Sequence, residues 1–193
     1  MRISANGWLS HSNRTSIAKK LVMVTGLKSS GKTSLMVKMQ AWNFFHNNAE
    51  ALPLPPPTKQ LQHYSFDLGH LETEFIEVPS SLYSMTKPSI QELINKVDAI
   101  IYTIDSSNPI RLQQAQGQLK DLFQNGFSVI RLLVLFTKTD SPNSMKDEDL
   151  IDAMFPDITE ASHLTYERIT LNSTSRAINI IREFIKHLPG RII

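Results

Sequence analysis

The chain has 193 residues, 41% hydrophobic and 20% charged, with a formal net charge of +2; that is enough for one domain with a full core. So small a positive excess gives no ground for nucleic-acid binding or for adhesion to an acidic membrane. There is no cysteine, which excludes disulfides, thiolate metal sites, a cysteine nucleophile, S-palmitoylation and C-terminal prenylation.

No apolar run approaches the ~18 residues of a membrane span. The N-terminus lacks a secretion segment, and Arg2 stands where N-myristoylation needs glycine. A cytoplasmic protein is expected. Residues 1 to 18 are rich in Ser, Asn and Arg and read as a flexible arm ahead of a domain over 19 to 190. Trp8 and Leu9 form its strongly apolar pair, which can dock on a partner or a membrane surface or pack on the domain.

The first strand, Leu21-Val22-Met23-Val24, leads into Gly26-Leu27-Lys28-Ser29-Ser30-Gly31-Lys32-Thr33, a match to G-x-x-x-x-G-K-[ST], and then into a helical pattern through Ser34 to about residue 45. Strand, glycine-containing loop and helix in that order are the setting a phosphate-binding loop requires. The loop amides of residues 26 to 31 and the positive helix end surround a β-phosphate. Lys32 reaches the β- and γ-phosphate oxygens, and the Thr33 hydroxyl binds Mg²⁺. A chance match in a Ser/Gly turn would lack the flanking elements.

Residues 46 to 60 are polar and proline-rich, with Pro55-Pro56-Pro57-Thr58 favouring extended backbone. Tyr64, Phe66 and Leu68, then Phe75, Ile76 and Val78, predict a hairpin with its turn near Gly69. Ile90, Leu93, Ile94 and Val97 place a helix over 84 to 97, with Pro88 in its first turn. A buried strand over 99 to 104 runs into Asp105-Ser106-Ser107, a helix covers about 109 to 124, and the longest apolar strand spans 129 to 136. A short helix at 146 to 154, a strand at 168 to 171 and an amphipathic helix at 175 to 187 complete the chain. Strands alternating with helices imply a mostly parallel sheet covered on both faces, with ligands at the carboxyl ends of the strands.

Thr137-Lys138-Thr139-Asp140 falls at such an end. A carboxylate there accepts hydrogen bonds from the N1–H and exocyclic amine of guanine, a donor pair adenine does not present, so Asp140 becomes the specificity residue and the Lys138 stem lies along the base. By itself the tetrapeptide is no more than a strand-end turn. Coupled to the phosphate loop, it selects GTP and GDP over adenine nucleotides.

With these motifs the chain resembles the Ras-superfamily small GTPases, and within them the Arf-like branch. The loop beginning Gly26-Leu27, the strand end Ile104-Asp105-Ser106-Ser107 and the run Thr137-Lys138-Thr139-Asp140-Ser141-Pro142-Asn143-Ser144-Met145 are similar to Arf segments. The Pro55-Pro56-Pro57-Thr58 stretch, a third motif opened by glutamate and Phe155-Pro156-Asp157-Ile158 are similar to a divergent member of that branch. The resemblance implies an α/β P-loop G-domain: a six-stranded sheet, mostly parallel with one antiparallel edge strand, and helices on both faces.

It also implies where the remaining ligands stand. Asp67-Leu68-Gly69 looks like the magnesium-side motif, but the interval to Asp105 exceeds the single helix that joins these strands in the family. Glu77-Val78-Pro79-Ser80 fits both that interval and the one from a switch threonine at Thr58. Thr33, Thr58 and, through water, Glu77 are then the metal side, and Ser80 offers an N–H to the γ-phosphate. Ser81 stands where the family's water-orienting glutamine does and is too short for that task; no catalytic residue is assigned, and slow hydrolysis without a partner protein is expected. Lys28 adds a cation beside the loop without an assigned role. Leu171, in Thr170-Leu171-Asn172, supplies the base-side N–H.

The resemblance thus implies a switch that reads GTP through protein effectors, with exchange or activating factors, in membrane or ciliary traffic and with peripheral membrane contact through Trp8-Leu9 or a partner. The rival is a pseudo-GTPase that serves as a scaffold subunit, of light-chain or receptor-subunit type, without switching. A P-loop kinase or ATPase lacks support: no Arg-rich lid follows the loop, and Asp140 favours guanine.

Overall fold

The computed structural model describes residues 19–45, 56, 59–68, 71–84, 87–124, 130–156 and 163–189. The expected N-terminal arm, the switch threonine Thr58 and the Gly69-His70 turn lie outside the described residues.

Six strands form one sheet: β1 (Lys20–Gly26), β2 (Gln62–Asp67), β3 (Glu72–Glu77), β4 (Ala99–Asp105), β5 (Arg131–Thr137) and β6 (Leu164–Arg168). The spatial order is β2-β3-β1-β4-β5-β6. Every neighbouring pair is parallel except β2 with β3, where Gln62 faces Glu77 and Asp67 faces Glu72. The expected architecture, with its single antiparallel edge strand, is the one observed.

The helices α1 (Lys32–Phe45), α2 (Pro88–Lys96), α3 (Leu112–Gln124), α4 (Asp147–Met154) and α5 (Thr174–Lys186) cover both faces. Strands buried on two sides must be apolar at successive residues rather than at alternate ones, and the β1 and β5 runs are. Within β1 the side chains divide by pleat: Met23 joins Ile100, Tyr102, Val134 and Phe136 against α2, α3 and α4, whereas Val22 and Val24 join Leu133 and Leu135 against α1 and α5. No helix among the described residues is long and apolar enough to cross a membrane.

Asp67 ends the edge strand β2 and is exposed, with Leu68 beyond it, so this segment is part of the hairpin, as its spacing requires. Three boundaries depart from the sequence reading by three residues or more, the first being α2, which begins at Pro88 rather than at 84. Pro109–Arg111 forms a 3-10 turn before α3 begins at Leu112. The last strand lies at Leu164–Arg168, not at 168 to 171. The expected strand followed the apolar residues Ile169 and Leu171, but β6 is the other edge of the sheet, and its Thr165 and Tyr166 face solvent. An edge strand needs apolar side chains on one face at most, so the strand carries little pattern, and Leu171 falls in the turn after it.

Candidate functional site

The loops that leave the carboxyl ends of β1, β3 and β5, together with the turn after β6, converge on one cavity of about 550 Å³. Its wall includes Lys28, Ser29, Gly31, Lys32, Thr33 and Ser34 from the loop and α1, Ser80 after β3, Lys138 and Asp140 after β5, and Leu171. The two motifs far apart in sequence therefore face one space. Lys38, Pro56, Pro79, Ser141 and Asn172 line it as well. Ser81 is exposed and is not part of this wall.

Other expected site residues build the wall from behind. Gly26 has φ +141°, and a Cβ there would stand 2.3 Å from the Thr103 carbonyl oxygen, so glycine is required where the loop leaves β1. Ser30 is buried and its Oγ lies 2.6 Å from Thr103 Oγ1. Thr137, also buried, donates from Oγ1 to the Ser30 carbonyl at 2.9 Å, tying β5 to the loop. Gly31 at φ +90° and Ser29 at φ 64° complete the turn into α1.

Lys32 is 6% exposed and its Nζ donates to the carbonyls of Gly26 at 3.0 Å and Leu27 at 2.8 Å. An ammonium has three donors, so one remains for a ligand in the cavity. Burial lowers its pKa to about 8; Glu77 opposes the shift and Arg111 adds to it. Arg111 in turn donates from Nη1 to the Lys28 carbonyl at 2.6 Å, fastening the loop to the turn before α3.

On the metal side, Glu77 is fully buried at the end of β3, where it pairs with Val24 of β1. Its Oε1 accepts the Thr33 hydroxyl at 2.5 Å, and its Oε2 accepts the Tyr64 hydroxyl at 3.3 Å. Burial, and then the neighbouring Glu77, push the Tyr64 phenol up to about 12. Hydroxyl and carboxylate oxygens suit a hard divalent cation. Among the described residues no group of three or more His, Cys, Asp or Glu could hold a metal alone. These donors thus fit a cation that shares its shell with phosphate oxygens, the usual habit of Mg²⁺.

On the base side, Lys138 adopts φ 57° and its Nζ donates to Asp105 Oδ2 at 2.6 Å. Burial raises the Asp105 pKa, but the hydrogen bonds from Lys138 and from the hydroxyl and N–H of Ser107 outweigh it, leaving the carboxyl below its ordinary value. Asp140 is exposed, and its Oδ2 accepts the Asn172 side-chain amide at 2.8 Å. Lys38, on α1 and 8% exposed, donates to the Leu171 carbonyl at 2.6 Å. Lys38, Tyr64 and Arg111 were not legible as site residues, because each lies outside any motif, and Asn172 was read only as a neighbour of Leu171 in the base-side motif.

Four lysines face the cavity with Asp140 as the acidic residue in its wall. The arrangement suits a polyanion at the loop end and a neutral group bearing paired donors at the other.

Residues 9–180 match the family model of the ADP-ribosylation factor family. ADP-ribosylation factor D of Dictyostelium discoideum is 30% identical over 138 residues, which cover 71% of this chain and 59% of that protein. The chain therefore aligns with about three fifths of the length of that curated relative. Among solved structures, the Arl6 BBS3 small GTPase from Trypanosoma brucei, with bound nucleotide analogue GppNp, superposes with a TM-score of 0.63 over 86% of this chain and 98% of that one. At 13% identity this likeness establishes the fold.

Proposed function

The chain belongs to the ADP-ribosylation factor family, and from that premise we propose that it is a guanine-nucleotide-binding switch. GTP or GDP would occupy the cavity between the loop and the Lys138–Asp140 segment. The observation that carries this reading is the convergence of the phosphate-loop residues Lys32 and Thr33 and the base-side residues Lys138 and Asp140 on one space.

We assign the roles as follows from the chemistry of the groups. The loop N–H groups and the third donor of Lys32 bind the phosphates. Thr33, Thr58 and, through water, Glu77 would hold Mg²⁺, which when bound would neutralise phosphate charge. Asp140, steadied by Asn172, pairs with the guanine donors, and Lys138, held by Asp105, lies along the base. Ser80 and Leu171 contribute backbone N–H groups. Lys28 adds positive charge at the loop mouth.

Hydrolysis is slow in this reading, because Ser81 is exposed and too short to orient a water. We further propose that the chain is similar to ADP-ribosylation factor-like protein sixteen, on its Pro55-Pro56-Pro57-Thr58 stretch and Glu77-initiated motif, and that its setting is membrane or ciliary traffic through effectors that read the GTP-bound form. Titration with fluorescent GTP, GDP and ATP tests the reading: tight guanine binding that ATP does not displace is expected, and equal affinity for ATP would sink it. Single-turnover hydrolysis then tests the slow step; an ordinary intrinsic rate retained in Ser81→Ala would remove that part alone.

A further inference from the structure

Glu77 stands where the resemblance places the aspartate of the family motif. A glutamate has one more methylene and one more rotatable bond, so fixing its carboxylate costs more side-chain entropy. A metal-side carboxylate left to rotate would bind its cation poorly.

The structure supplies a second anchor. Tyr64 lies on β2, opposite Phe75 of β3 and diagonal to Glu77, a separation that an aromatic side chain spans. Its ring is stacked on Phe66, centroids 6.2 Å apart and planes within 13°, and packs on the apolar cluster beneath α1. The hydroxyl at the end of this fixed ring donates to Glu77 Oε2 at 3.3 Å, while Thr33 donates to Oε1. The carboxylate is thus held from two elements, one hydroxyl on α1 and one on the edge strand.

We propose that Tyr64 is a positioning residue for the metal side of the site, fixing the carboxylate of Glu77 so that the longer side chain can serve the cation held by Thr33. This rests on the functional reading above. An aspartate at 77 would stop short of the Tyr64 hydroxyl, so the tyrosine and the longer stem belong together.

The test uses the full chain loaded with GDP and follows nucleotide release over a range of free Mg²⁺ and in excess EDTA. Tyr64→Phe keeps the ring and its packing and removes the hydroxyl. The Mg²⁺ midpoint for retention should rise about threefold to tenfold, the worth of one hydrogen bond to a charged acceptor at the long end of the range. The rate in EDTA should not change, because the phosphate and base contacts are intact. In a Glu77→Asp background the same Tyr64→Phe change should have no further effect, the signature of a coupled pair. An unchanged midpoint in Tyr64→Phe, or an equal loss in both backgrounds, overturns the proposal while leaving the functional reading in place. A wild-type chain that holds no guanine nucleotide, or releases it at the same rate with and without Mg²⁺, overturns the functional reading and this inference with it.

Discussion

Lys138 Nζ and Asp105 Oδ2 lie 2.6 Å apart across the ends of the adjacent parallel strands β5 and β4. The pair draws the lysine out of β5 at a left-handed φ and sets the direction of its stem. Lys138 remains partly exposed, so the bond counts for positioning more than for stability. Asp105→Ala should weaken GDP binding about threefold to tenfold with little change in thermal stability, measured by fluorescence titration and a melting curve. A loss of folding in place of a loss of affinity would show that the pair is structural.

Asn172 holds Asp140 by one oxygen, and in the function proposed above this carboxylate meets the base. Asp140→Asn exchanges an acceptor for a donor facing guanine's donors, and its guanine affinity should fall on the order of 100-fold. Asn172→Ala should cost less, a few-fold, because it frees the carboxylate without removing it. Competition binding of GDP against fluorescent GDP ranks the two.

The depressed pKa of Lys32, about 8, makes phosphate binding pH-dependent. A bound polyanion favours the ammonium, so between about pH 8 and 9 nucleotide binding should take up a proton, and affinity should fall as pH rises past 8. Calorimetry in two buffers of different ionisation enthalpy reads the proton directly. The same shift acts on the nucleotide-free fold with the opposite sign. An amine with its pKa lowered from 10.5 to about 8 carries its full cost below pH 8. That cost is relieved as pH climbs toward 10, worth at most about 3 kcal/mol.

Gly26 admits no side chain. A Cβ would meet the Thr103 carbonyl at 2.3 Å and Thr103 Oγ1 at 2.8 Å, on a backbone at φ +141°. Gly26→Ala should destabilise the chain by at least about 2 kcal/mol and abolish nucleotide retention, as judged by thermal unfolding and by the nucleotide content of purified protein. Gly31→Ala meets its nearest neighbours at an ordinary 3.5 Å and is strained by its φ of +90°. It should be the milder of the two in stability.

The phosphate loop was legible because its chemistry is local: strand, glycine turn and helix follow one another, and the backbone conformation demands glycine at 26 and 31. The sheet was legible for a related reason, since strands buried on both faces advertise themselves as continuous apolar runs. Intervals compared with the family pattern favoured Glu77 over Asp67 as the expected magnesium-side carboxylate; the hairpin carries Asp67 exposed, while Glu77 is buried against Thr33. The last strand was misplaced because an edge strand needs no such pattern.

What the sequence by itself determined is therefore the set of candidate groups that, in the function proposed above, hold phosphate and select guanine. Only the tertiary structure decided how they are held. Lys38 grips the Leu171 carbonyl, Asn172 steadies Asp140, Arg111 ties down the loop and Tyr64 braces Glu77. The first three of these contacts join elements distant in the chain and the fourth crosses the β2–β3 hairpin, and no local propensity encodes a hydrogen bond whose partner is chosen by how the helices and strands pack.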